Sequence, residues 1–247
     1  MKNSTVLLFF IIFLLFHPQA EAQQRRQVPT TKKTSTIVST AIVVDESLAV
    51  LRDQPSLFAK PVQRMRLGKS VQIISAKQAD GITFYRVNAP PNSGWIQAEA
   101  VVSKTKRGDD ERMAKLVQAF DGYEQIECGM LFLDTFPNSP LRPPILLLLG
   151  DLVEDIALKL SRDATRRLDV RAMVASGAPL HSFYLNFVSL DRYRKIGIGF
   201  FFNSKTKLFH YNGASWREII SKFPKSNEAV EAKKRLDSLK LKLEAVK

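Results

Sequence analysis

Three rhythms of apolar positions follow one another along the chain. Residues 6–16 are an unbroken apolar run of 11 positions. Between residues 41 and 102, short β-branched and apolar runs alternate with turn residues, which predicts strands. Beyond residue 109 the apolar positions recur at intervals of three and four, the spacing of a helix that buries one face.

The strand rhythm resolves into five or six short elements. Residues 40–44, 48–51, 61–65, 70–75, 82–87 and 95–96 carry them, and Ala100, Val101 and Val102 close the segment. Asp80-Gly81 is a strong hairpin signal, and a second turn is expected over residues 90–94. So many short strands in about sixty residues predict a small all-β barrel.

The helical rhythm begins after a charged junction at 104–109. Met113, Leu116, Val117, Phe120, Tyr123 and Ile126 share one face of a helix expected to run on to the break at Phe136-Pro137. Asp109, Asp110 and Glu111 place acids in its first turn, as the helix dipole prefers. Pro143 and Pro144 suit the first turn of a second helix, leucine-rich over 145–160. A basic continuation of that helix reaches residue 175, where Gly177 and Pro179 stop it. Residues 197–202 and 208–211 predict an inserted β-hairpin, followed by helices over 214–222 and 228–246. The corner Phe136-Pro137-Asn138-Ser139 recurs 87 residues later as Phe223-Pro224-Lys225-Ser226. In each, the aromatic is expected to pack, the proline to stop one helix and the serine to cap the next.

The first run changes the picture of where the chain goes. Lys2 precedes it, Ala20-Glu21-Ala22 is a small-x-small cleavage signal, and polar residues come after. That is the pattern of a secretory signal peptide over residues 1–22, cut between Ala22 and Gln23. Eleven helical residues rise roughly 16 Å, about half of a hydrocarbon core, so a transmembrane span is not expected. Residues 23–40 read as a basic linker, residues 41–103 as the β domain and residues 110–247 as the helical domain. The net charge is +13. For an exported protein, in the periplasm or outside the cell, nucleic acid is not an expected partner, and the charge reads as solubility.

The residues of the strand region also carry a resemblance. Leu51-Arg52, Pro55-Ser56, Gly68-Lys69, Phe84-Tyr85-Arg86-Val87 and Gly94-Trp95-Ile96 resemble, in order and spacing, the bacterial SH3-like domain of exported and cell-wall proteins. Residues 110–160 and 214–245 look like the tetratricopeptide-type helical hairpins of bacterial envelope proteins, whose turns read aromatic-Pro-x-Ser. Residues 161–213 carry no resemblance. The fold class implied is a small SH3-like β-barrel followed by tetratricopeptide-like α-helical hairpins with one inserted β-hairpin.

Catalytic chemistry finds little material. Cys128 with His181 or His210 is the one thiol–imidazole combination available. It falls in a helix beside Glu127, which raises a thiol pKa, so it reads as a core residue and not as a nucleophile. With one cysteine and three histidines, no metal-ligand spacing appears and no cofactor is implied. Asp151, Glu154 and Asp155 read as a solvated helix face and not as a glycosidase pair. Binding is better provided for. Arg52, Tyr85 and Trp95 are candidates to line a groove for an extended peptide, although Trp95 reads more simply as a barrel core residue. Of Phe200, Phe201 and Phe202, at least one is expected under the helices and another at an interface.

The last helix carries a seam of Ala229, Ala232, Leu236, Leu239, Leu243 and Val246, spaced 3, 4, 3, 4 and 3 residues apart. Packing within the chain is the first expectation for it, and a homodimer the second. The reading is a non-enzymatic exported binding or scaffold protein of the cell envelope, whose partner is a peptidoglycan peptide or an envelope protein. The alternatives are a wall hydrolase or its regulatory subunit, and an adaptor in outer-membrane assembly acting through the helices.

Overall fold

A computed structural model describes residues 39–244. The leader with Ala22 and Gln23, the basic linker up to residue 38, and Val246 lie outside the described residues.

Seven strands come first: β1 (Ser39–Val43), β2 (Val50–Arg52), β3 (Pro61–Arg64), β4 (Ser70–Ala79), β5 (Ile82–Ala89), β6 (Asn92–Gln97) and β7 (Val101–Ser103). They form one antiparallel sheet in the order β3-β2-β6-β5-β4-β1-β7, with β3 and β7 at its two ends. The strand expected from residue 82 is joined to β4 at Asp80 and Gly81, whose φ values of 52° and 76° suit a two-residue hairpin turn. β1 starts at Ser39, so the last two linker residues are strand. Inward-facing Val43, Leu51, Val71, Val87 and Ile96 make the sheet's aliphatic core, each 1% exposed or less.

Val44 and Val102 leave that core and join the helical one, which ties the sheet to the helices. The Asp109 carboxylate accepts the Ser103 N–H at 2.7 Å, and Arg112 donates to the carbonyls of Glu99 and Val101. The first helical turn is therefore bonded to the last strand.

The helical part comprises α1 (Asp109–Ala119), α2 (Gly122–Thr135), α3 (Arg142–Arg167), α4 (Val170–Ser176), α5 (Leu180–Leu185), α6 (Asp191–Lys195), the hairpin β8 (Phe200–Asn203) and β9 (Leu208–Tyr211), α7 (Ala214–Lys222) and α8 (Asn227–Glu244). The single helix expected over 109–135 is two. Phe120 and Asp121 are extended, and Gly122 re-enters with φ 56°, a conformation that suits glycine. The helix expected over 143–175 is also two. Leu168 is extended, and Asp169 caps α4 by accepting the N–H groups of Arg171 and Ala172.

α3 is the axis of the helical core. Ile145, Leu149, Val153, Ala157, Leu160 and Ala164 form its buried stripe, and it packs against α2, α7, α8 and β9. The two Phe-Pro corners join α2 to α3 and α7 to α8 as expected. Their serines differ from expectation. Ser139 Oγ bonds Asp110 and the Leu141 N–H, whereas Ser226 Oγ is buried with no partner among the described residues. The α8 seam is covered by this chain: Ala232 and Leu239 are buried against α7 and α3. Ala229, Leu236 and Leu243 of the seam are half-buried against the same core. Phe200 and Phe202 turn inward onto Tyr193 and Tyr184, and Phe201 is 47% exposed. Among the described residues, no helix is long and apolar enough to cross a membrane.

Candidate functional site

Strand pairing builds a row of side chains on the sheet face opposite its core. Arg52 on β2 lies opposite Trp95 on β6, and Trp95 lies opposite Arg86 on β5. Paired residues point to the same side, and the row alternates with the inward Leu51, Ile96 and Val87. Two strand spacings make it about 10 Å across. Arg86 is exposed, and Arg52 and Trp95 are half-buried. Trp95 belongs to neither hydrophobic core, which corrects the expectation that it is a core residue. Gly94 beside it permits the close approach of β2: a Cβ there would stand 2.5 Å from the Arg52 carbonyl oxygen.

The loop between β2 and β3 borders this row and is pinned at two places. The Arg52 guanidinium donates to the Ala59 carbonyl at 2.7 Å. Asp80, at the β4–β5 turn, accepts from Ser56 Oγ and the Leu57 N–H, both at 2.7 Å. The Ser56 hydroxyl, and then the Leu57 amide, hold the Asp80 carboxyl below its ordinary pKa. Between the two anchors Phe58 is 90% exposed, with Leu57 and Val62 also exposed nearby in the chain. Arg86 and Phe58 are absent from the site expected from sequence. Arg86 lies within the Phe84-Tyr85-Arg86-Val87 run that carries the resemblance, and Phe58 is an aromatic in an otherwise turn-like segment.

Tyr85 does not join Arg52 and Trp95. It pairs with Ile96 and Ala76, points to the core side and packs at the edge of that core. Its hydroxyl accepts from Lys106 at 3.4 Å, with the ammonium 5.9 Å from the ring centroid. The structure thus unites two of the three candidate residues and assigns the third to the sheet–helix junction.

Cys128 is fully buried in α2. Burial, with Glu127 adding, pushes its thiol up to about 12, which removes the thiolate a nucleophile needs. His210 is bonded to Glu154, its Nδ1 3.0 Å from Oε1, and His181 is exposed on α5. The acidic trio is not one solvated face. Asp151 pairs with Arg235 at 3.0 Å, and only Asp155 is exposed. Glu154 also accepts the Tyr211 N–H at 2.7 Å and the Lys242 ammonium at 2.8 Å. Burial raises its pKa, but hydrogen bonds from His210, Lys242 and Tyr211, with the Lys242 charge, outweigh that and hold it at about 2. Among the described residues, no group of three His, Cys, Asp or Glu side chains could hold a metal ion.

Comparison with protein-family models, with curated proteins and with solved structures found no match.

Proposed function

We propose that the chain is an exported, non-enzymatic binding protein of the cell envelope, in which the sheet is an SH3-like recognition module and the helices a tetratricopeptide-like scaffold. The observation that carries this reading is the Arg52–Trp95–Arg86 row beside the pinned Phe58 loop. Two guanidinium groups flank an aromatic face, which suits an extended peptide bearing carboxylates, and Phe58 offers an apolar contact at one end. Peptidoglycan stem peptides have that chemistry. The depressed nucleophilicity of Cys128 favours binding over thiol hydrolysis.

Sedimentation with purified peptidoglycan tests the reading. The wild-type chain is expected to co-sediment. Arg86→Glu with Phe58→Ser is expected to weaken binding at least tenfold with an unchanged melting temperature, because both side chains are exposed. A wild-type chain that stays in solution, or a double variant that sediments equally well, would refute it.

A further inference from the structure

A second concave site lies where the sheet meets the helices. The turn at 104–108 and the Phe136-Pro137 corner enclose a cavity of about 470 Å³, within the size range of small-ligand pockets. It lies beyond the sheet face described above, and its residues play no part in the proposed function.

Three features of its lining ask for an anion. Lys104 and Arg107 make no ion pair or hydrogen bond among the described residues, and Lys106 reaches only Tyr85 and, at 3.9 Å, Asp109. Thr135, 1% exposed, has a buried hydroxyl with no partner among the described residues. A threonine in a helix ordinarily bonds a carbonyl one turn back, so an unpaired one beside a cavity is a donor left free for a ligand. The third feature is the start of α1, where Gly108 offers no side chain to the first-turn N–H groups. Two acids stand close by, and both are engaged. Asp109 is turned to the Ser103 N–H and Arg112, and Asp110 accepts from Ser139 Oγ at 2.7 Å. The charged lining sums to three cations against Asp110.

The wall also has an apolar part, Phe136, Pro137 and Pro140, beside the polar Thr105, Asn138 and Ser139. A bare inorganic anion would leave that wall in water, and a purely apolar guest would leave the cations and the Thr135 hydroxyl unused. A ligand that satisfies both halves has a terminal oxyanion and an adjoining apolar group. We propose that this junction cavity binds the carboxylate end of a peptide whose last side chain is apolar. Lys104 and Arg107 hold the carboxylate, the Thr135 hydroxyl donates to the ligand, and Phe136 with the two prolines covers the side chain.

Calorimetric titration of the purified full chain tests the proposal with three probes: acetyl-phenylalanine, its neutral amide and inorganic phosphate. The acid is expected to bind at least tenfold more tightly than either the amide or phosphate. Lys104→Gln with Arg107→Gln is expected to lose at least tenfold for the acid and little for the amide, since both side chains are exposed and unpaired. Thr135→Val, which keeps the shape and removes the donor, is expected to lose several-fold with an unchanged or raised melting temperature. Lys233→Gln, exposed on α8 and outside both sites, should leave all three titrations unchanged, and peptidoglycan sedimentation reads the sheet face separately. Equal binding of acid and amide, phosphate binding as tight as the acid, or an unaltered Lys104/Arg107 double variant would each overturn the proposal.

Discussion

The sheet and the helical part are held together by contacts of different kind: backbone ladders in one, side-chain ion pairs in the other. In the sheet, β4, β5 and β6 are joined by two tight turns and pair in sequence order, while β1 pairs with β7 and β2 with β6 through backbone bonds between distant segments. Its core is aliphatic, and the Arg52–Trp95–Arg86 row arises from register alone. In the helical part, polar pairs join residues far apart. Glu154 draws on His210, Tyr211 and Lys242, Arg142 bonds Glu218 at 2.7 Å, and Asp151 bonds Arg235. Each of those pairs stitches α3 to an element at least 56 residues further along the chain. The sheet can therefore offer exposed side chains to a ligand, whereas the charged groups around α3 are largely committed to holding helices in place.

Mutations should separate the two regions. The largest effect is expected at Leu239, which is 5% exposed in the α8 seam. Leu239→Asp buries an unpaired charge and should cost about 3–5 kcal/mol, read as a fall in melting temperature. A variant that melts as the wild type does would mean that α8 does not dock on α3 and α7.

Glu154 should show a smaller and pH-dependent effect. Its folded pKa, about 2, lies below the ordinary 4.5, so ionised Glu154 stabilises the fold above pH ~4.5. That contribution fades as the pH falls through about 2, and its upper bound is about 3 kcal/mol. Glu154→Gln should therefore be less stable than the wild type at neutral pH, and the gap should narrow between about pH 5 and pH 2 in denaturant titrations. A gap that is constant across that window would show that the carboxylate charge is not what binds α3 to α8 and β9.

The reach of each individual signal explains what could be read from the residues alone. Strands and their turns were legible because a period of two and a turn such as Asp80-Gly81 are local signals. The α7–α8 pair and its seam were legible for the same reason. The break between α1 and α2 was hidden, because Phe120 and Tyr123 keep the apolar spacing of a helix although Phe120 and Asp121 are extended. The break before α4 rests on the Asp169 cap, which lies in a basic stretch with no apolar phase to interrupt. The role of Glu154 was invisible, since its partners lie 56 to 88 residues away. Arg52 and Trp95 share a face, but separating Tyr85 from them requires a register that no spacing supplies. Tyr85 and Trp95 alternate to opposite faces once Tyr85 is set against Ile96.

The chain has 2 tryptophans, one in each region, and they make a direct test of the central claim. Trp95 sits in the Arg52–Trp95–Arg86 row, and Trp216 is 2% exposed in the helical core. With both labelled as 5-fluorotryptophan, fluorine NMR reads each ring during titration with a soluble, carboxylate-bearing peptidoglycan stem peptide. The Trp95 resonance is expected to shift and saturate while that of Trp216 stays in place. A saturable shift at Trp216 alone, or no shift at either ring, would contradict a recognition surface on the sheet.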